Sequence, residues 1–181
     1  MKKQLLDLLV CPACLPQEHS LVAEIVREQD GDIDTAILMC QHCGARFPVT
    51  DGIALLDPQA TDSQRQSNRY ETAELVSSYL WSQYGDLLDD DQASTAYATW
   101  AGMMRPQAGI ALDAGGAVGR FAFEMTERCD FAIGIDTSVA FVRAARQLMR
   151  ERSLTFSLKE EGLLRREATI LLPDSWRSER V

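Results

Sequence analysis

Four cysteines fall in two close pairs, Cys11-Pro12-Ala13-Cys14 and Cys40-Gln41-His42-Cys43, and Gly44 follows the second pair. Two intervening residues let a tight turn aim both sulfurs at one ion, and the amides of that turn can disperse thiolate charge. Two such knuckles complete a tetrahedral four-sulfur shell. The shell leaves no position open to a substrate, so its role is structural. Zinc suits it. Iron is the chemical rival, because an all-thiolate shell does not by itself select zinc. His19 and His42 lie near the knuckles and are expected to be solvated or to support the ligands. Cys129 stands alone, without a nearby histidine to act as a base, and is expected to be a small buried hydrophobe.

A second group of residues could hold a nucleotide. Ile110-Ala111-Leu112-Asp113 reads as a buried strand, followed by Ala114-Gly115-Gly116-Ala117-Val118-Gly119 and a helical pattern, Arg120 to Met125. Phe131 to Ile135 is another apolar strand, ending at Asp136, and Ser138 caps a helix to about Arg150. Glycines at a strand end let a ligand approach the backbone. The following helix offers unpaired N–H groups. A carboxylate about 20 residues on can accept from both ribose hydroxyls. Dinucleotides and S-adenosylmethionine share this geometry.

The elements that must position these groups follow from periodicity. Leu21–Val26 and Ile33–Met39 flank Asp30-Gly31, a hairpin signal that would return Cys40 to Cys14. MKKQLLDLLV, interrupted by Asp7 and followed by no cleavage site, reads as a first helix or strand rather than a signal peptide. Residues 58–68 read as a polar linker. Apolar residues at helical spacing mark a helix between Tyr70 and about Leu88 and a second from Ala96 to Met104. Asp89-Asp90-Asp91 reads as a solvated turn and helix start, with Asp or Ser94 as the N-cap. The aromatics Tyr70, Tyr79, Trp81, Tyr84, Tyr97 and Trp100 are expected to pack this helical cap onto the next element. Two apolar runs, Leu154–Leu158 and Ala168–Pro173, suggest a final hairpin. The fold class is α/β: a ribbon over 1–57, a linker over 58–68, and over 69–181 helices leading into the first part of a Rossmann-like sheet.

The chain has 181 residues and a net charge of −9. Residues 1–57 carry four basic against nine acidic groups, and 58–150 eight against twelve. No segment is basic overall, which disfavours autonomous nucleic-acid binding. No apolar run is long enough to span a bilayer, and the expected location is cytoplasmic.

The start, Leu5 to Cys14, and the ending Phe47-Pro48-Val49-Thr50-Asp51-Gly52-Ile53 resemble the zinc-ribbon proteins that activate tRNA, rRNA and release-factor methyltransferases. That resemblance implies a ribbon that binds and stabilises a methyltransferase partner. Leu112-Asp113-Ala114-Gly115-Gly116-Ala117-Val118-Gly119 resembles the first motif of class I S-adenosylmethionine methyltransferases, and Gly134-Ile135-Asp136 their second-strand motif. By that resemblance Asp113, Gly115, Gly116, Ala117 and Gly119 surround the methionine portion and Asp136 holds the ribose; Ala117 stands where the family usually has glycine. A ribbon ahead of such a domain also resembles the layout of a 23S rRNA guanine methyltransferase.

Only two strands of that sheet can be placed before Val181, so the methyltransferase portion is expected to be truncated, split or completed by a partner. No catalytic residue can be named, and the methyl acceptor is unknown. Two other readings are an adaptor that docks a separate methyltransferase beside a degenerate C-terminal half, and a redox protein with iron at the knuckles.

Overall fold

The computed structural model describes residues 1–59, 69–88 and 90–181. The chain divides into two compact units, Met1–Gln64 and Arg65–Val181. Most of the expected linker, and Asp89, lie outside the described residues.

The first unit is an antiparallel sheet of β1 (Leu21–Gln29), β2 (Asp32–Cys40), β3 (Arg46–Thr50) and β4 (Ile53–Ala54), in that order. The β1–β2 and β3–β4 turns use the same chemistry. Asp30 and Gly31 (φ 51° and 75°) close β1–β2, and Asp51 and Gly52 (φ 52° and 74°) close β3–β4. Paired positive φ values match the right-handed twist of the strands, which is why Asp-Gly recurs there. The β1–β2 register shifts on both sides of Arg27, next to the exposed Val26. Beyond it, β2 alternates, burying Ala36, Leu38 and Cys40 against Leu21, Phe47 and Val49. The opening segment is a single 3-10 turn, Lys3–Asp7, rather than a full helix or strand.

In the second unit a 3-10 turn, Arg69–Glu71, leads into α1 (Ala73–Tyr84), whose N-cap Thr72 Oγ1 accepts from Leu75 N. The helix α2 (Ala96–Met103) follows. Ser94 Oγ accepts from Ala96 N at 3.2 Å just ahead of it. Asp90 is tied down rather than merely solvated. Its carboxylate accepts from Trp81 Nε1 at 2.9 Å and from Gln92 N at 3.0 Å, and these bonds, the indole first, lower its pKa.

Next come β5 (Ile110–Ala114), α3 (Arg120–Met125), β6 (Phe131–Ile135) and α4 (Val139–Glu151). The strands β5 and β6 pair in parallel, Leu112 opposite Ile133. Ser138 Oγ caps α4 by accepting from Phe141 N at 3.1 Å. The chain then forms the antiparallel hairpin β7 (Ser153–Lys159) and β8 (Arg165–Leu171). Leu80, Tyr84, Phe123, Phe141, Leu148, Phe156, Ile170 and Trp176 form the core. Of the expected aromatic cap, Tyr70 and Tyr79 pack on Phe141 and Tyr84 is buried, whereas Trp100 is exposed. Cys129 is buried, its thiol donating to Met125 O and Phe131 O, as a small core residue does. The architecture is mixed α/β with small sheets: four strands, a parallel pair and an antiparallel pair.

Candidate metal centre and nucleotide-type bend

The sheet brings the two knuckles together. Cys11 precedes a 3-10 turn, Pro12–Cys14, and its N–H donates to His19 O at 2.7 Å. Cys40 ends β2, and Gly44 (φ 76°) donates back to Cys40 O at 2.9 Å, closing the second knuckle through a left-handed residue. The four sulfurs lie within 4.8 Å of one another, with Cys11–Cys43 at 3.7 Å and Cys14–Cys40 at 3.8 Å. A tetrahedron with metal–sulfur bonds of about 2.3 Å has edges of about 3.8 Å, so the spacing fits one ion. Cys11, Cys14 and Cys40 are buried and Cys43 is exposed.

The knuckle amides separate the thiols electrostatically. The Cys43 N–H, ahead of the His42 N–H, lowers the Cys40 thiol to about 7. The Cys43 side chain and burial push Cys14 up, and burial pushes Cys11 up. Closely packed thiols resist shared ionisation, and a cation at their centre relieves that repulsion. His19 and His42 stack on each other, ring centroids 3.9 Å apart and nearly parallel.

In the second unit the residues anticipated for a nucleotide meet at one bend. Gly115 N and Gly116 N both donate to Ile135 O, at 2.8 and 3.1 Å, fastening the bend to the end of β6. Ala117 N donates to Asp136 Oδ2 at 2.9 Å, and Ser138 N to Asp136 Oδ1 at 2.8 Å. A Cβ on Gly116 would lie 2.6 Å from Asp113 Oδ2, and one on Gly119 2.9 Å from the Ala145 Cβ. Ala117 adopts φ 48°, the left-handed conformation that glycine takes without strain. Asp113 Oδ2 is buried without a hydrogen-bond partner. Burial first, and the Asp136 charge in addition, raise the Asp113 carboxyl above its ordinary pKa.

Tyr84, one of the aromatics expected to pack here, holds this bend, whereas the roles of Arg120 and Glu71 escaped the sequence reading. Tyr84 Oη donates to Val118 O at 2.9 Å. Arg120 is 1% exposed. Its guanidinium donates to Gln83 O at 2.7 Å, to both Asp86 oxygens at 2.6 and 2.9 Å, and to Glu124 Oε1 at 2.7 Å, and it lies 4.9 Å from the Trp176 ring centre. The carboxylate of Glu71 accepts from Val139 N and Ala140 N, each at 2.9 Å, so the first turn of α4 is satisfied by a side chain from before α1. Only the spacing of Arg120 and Glu124, four apart on one helix, was visible as a signal.

No helix among the described residues is long and apolar enough to cross a membrane. Among curated proteins, none matches the chain. Residues 2–52 match the model of the Trm112p-like protein family; with its four cysteines clustered, the N-terminal segment is a Trm112p-like zinc-ribbon domain.

Proposed function

We propose that the chain is a methyltransferase adaptor, whose N-terminal ribbon folds around a structural zinc ion and docks a methyltransferase. One observation carries this reading: the segment that matches a methyltransferase-activating family keeps all four cysteines at the spacing of a tetrahedral shell. Cys11, Cys14, Cys40 and Cys43 would hold the ion, and four thiolates leave no vacant position for substrate chemistry. The ion supplies folding energy that so small a core lacks. The surface it organises is then free to bind protein. Free thiols in such a site favour a reducing compartment such as the cytoplasm.

The test is affinity isolation of the tagged full chain from its own cells, with identification of bound proteins by mass spectrometry. The adaptor reading expects a methyltransferase at near-equal amount, lost with Cys40→Ser. Recovery of no methyltransferase contradicts it.

A second reading is favoured by the Asp136–Ala117 contact. In this reading residues 69–181 themselves bind S-adenosylmethionine, as the first part of a Rossmann-like domain. Asp136 would take the ribose hydroxyls, and Asp113 with Gly115, Gly116, Ala117 and Gly119 would border the methionine portion. Methyl transfer from a sulfonium depends on positioning more than on acid–base groups. Calorimetric titration of the full chain with S-adenosylmethionine separates the readings: saturable heat supports a cofactor site in this chain, and its absence leaves the adaptor role alone.

A further inference from the structure

The four clustered sulfurs differ in their access to solvent. Cys11 is 0% exposed, Cys40 1% and Cys14 9%, whereas Cys43 is exposed. The backbone explains the difference. Cys40 is the last residue of β2, opposite Leu21, and Cys14 ends the 3-10 turn that follows Cys11, whose N–H is tied to His19 O. Cys43 lies between β2 and β3, in the turn that Gly44 closes, and a Cβ added to Gly44 would meet nothing within 4 Å. This turn has open space beside it. Across the cluster Cys43 faces Cys11 of the other knuckle at 3.7 Å, while Cys14 and Cys40 face each other at 3.8 Å. An S–S bond is about 2.05 Å long, so joining Cys11 to Cys43 requires a closure of about 1.7 Å, a small movement for a turn with room around it. Cys129 is no rival partner: it is buried in the second unit with its thiol donating to Met125 O and Phe131 O.

We propose that Cys43 is an oxidation site through which a peroxide opens the metal centre, the product being a Cys11–Cys43 disulfide across the two knuckles. An accessible sulfur poised beside a second cysteine is the arrangement that redox-responsive sites use. The Cys43 thiolate attacks one peroxide oxygen: the S–O bond forms, the O–O bond breaks and hydroxide leaves. The Cys11 thiolate then attacks the Cys43 sulfur: the S–S bond forms, the S–O bond breaks and a second hydroxide leaves. Two protons from solvent convert both hydroxides to water. The two sulfurs together give up two electrons, which the peroxide takes up. Thiolates, not disulfide sulfurs, are metal ligands, so the shell falls from four thiolates to two, Cys14 and Cys40. The folding energy that the ion gives this small core goes with it. The inference rests on the metal site of the adaptor reading and goes beyond it: the cysteines that hold the ion also set the redox conditions under which the ribbon keeps its docking surface.

The test titrates the zinc-loaded full chain, freed of reductant, with hydrogen peroxide in the presence of a chromogenic zinc chelator. Alkylation of the remaining thiols, digestion and fragmentation mass spectrometry then locate the disulfides. The expected result is loss of one zinc ion per chain as one peroxide is consumed, with Cys11–Cys43 as the first disulfide and Cys14 and Cys40 alkylated. A dimedone-type trap present during oxidation should label Cys43. A thiol reductant with added zinc should restore the centre. Cys129→Ser is the control and should respond as the unaltered chain does. A zinc-loaded chain that keeps its ion in excess peroxide, a first disulfide between any other pair, or trapping at another cysteine overturns the proposal and leaves the metal site standing. A chain that takes up no zinc at the outset contradicts the metal reading itself, and the proposal with it.

Discussion

The Asp136 carboxylate accepts a hydrogen bond from the Ala117 N–H at 2.9 Å, fastening the end of the second parallel strand to the bend that follows the first. The contact joins two segments that the sequence offered separately. It also leaves Ala117 in a left-handed conformation, with its amide committed to the carboxylate. For a non-glycine residue that conformation costs about 1–2 kcal/mol. Ala117→Gly removes the cost but loosens the unfolded chain by about 0.5–1 kcal/mol. The expected outcome is stability within about 1 kcal/mol of the unaltered chain, whereas Ala117→Val, branched at Cβ, loses about 1–3 kcal/mol. Urea unfolding of the three proteins checks this, and an unaffected Ala117→Val contradicts the assigned backbone.

The buried Arg120 joins α1, at Gln83 O, to α3 and the ring of Trp176 through one guanidinium, and also grips Asp86 just beyond α1. Arg120→Met leaves Asp86 and Glu124 facing each other without their cation. Breaking a buried pair from one side costs about 3–5 kcal/mol. Tyr84→Phe removes a single buried hydrogen bond to Val118 O and should cost about 1 kcal/mol. Denaturant midpoints for both variants test the ranking; an Arg120→Met protein as stable as Tyr84→Phe contradicts it.

The carboxyl of Asp113 sits above its ordinary pKa because burial disfavours its charge. A raised folded pKa contributes stability below the unfolded value, and that contribution is lost as pH rises through the folded pKa. Asp113→Asn removes the ionisation, so the variant should unfold at a higher temperature than the unaltered chain at pH 7, with the gap closing toward pH 3. If this unit binds S-adenosylmethionine, the same change lowers affinity while raising stability. A variant less stable than the parent at pH 7 contradicts the assigned burial.

The metal centre predicts one zinc ion per chain by native mass spectrometry and none in Cys14→Ser. The Cys43 side chain and then burial push Cys14 up in the ion-free cluster, and burial pushes Cys11 up, so both must lose protons when a metal binds. Affinity therefore falls as pH falls, and a chelator should strip the ion more readily at pH 6 than at pH 8. Equal stripping at both contradicts the assigned thiol ionisation, and a visible ferric-thiolate absorbance contradicts the zinc assignment.

The ribbon was legible because its signals are local. Two residues between cysteines fix a knuckle, and Asp30-Gly31 fixes the first hairpin turn, so that hairpin and the sulfur cluster follow from short spacings, whereas β3, β4 and their Asp51-Gly52 turn were not read as a hairpin. The parallel pair was legible because apolar runs end at Asp113 and Asp136. Arg120 was not, because an arginine in the first turn of a short helix ordinarily faces water. Its burial is decided by Asp86 and Gln83, more than 30 residues earlier. Glu71 was hidden for the same reason, since its partners are the amides of Val139 and Ala140. The left-handed backbone of Ala117 was marked only indirectly, by an alanine standing where the resembled family usually has glycine.

The most direct test of the adaptor role is calorimetric binding of the zinc-loaded full chain to the purified methyltransferase that co-isolates with it, repeated with Cys40→Ser. The account predicts saturable binding with a dissociation constant at or below about 1 μM, a range typical of specific complexes, and loss of that binding in the variant. Absence of heat with the zinc-loaded chain, or undiminished binding by the variant, would contradict it.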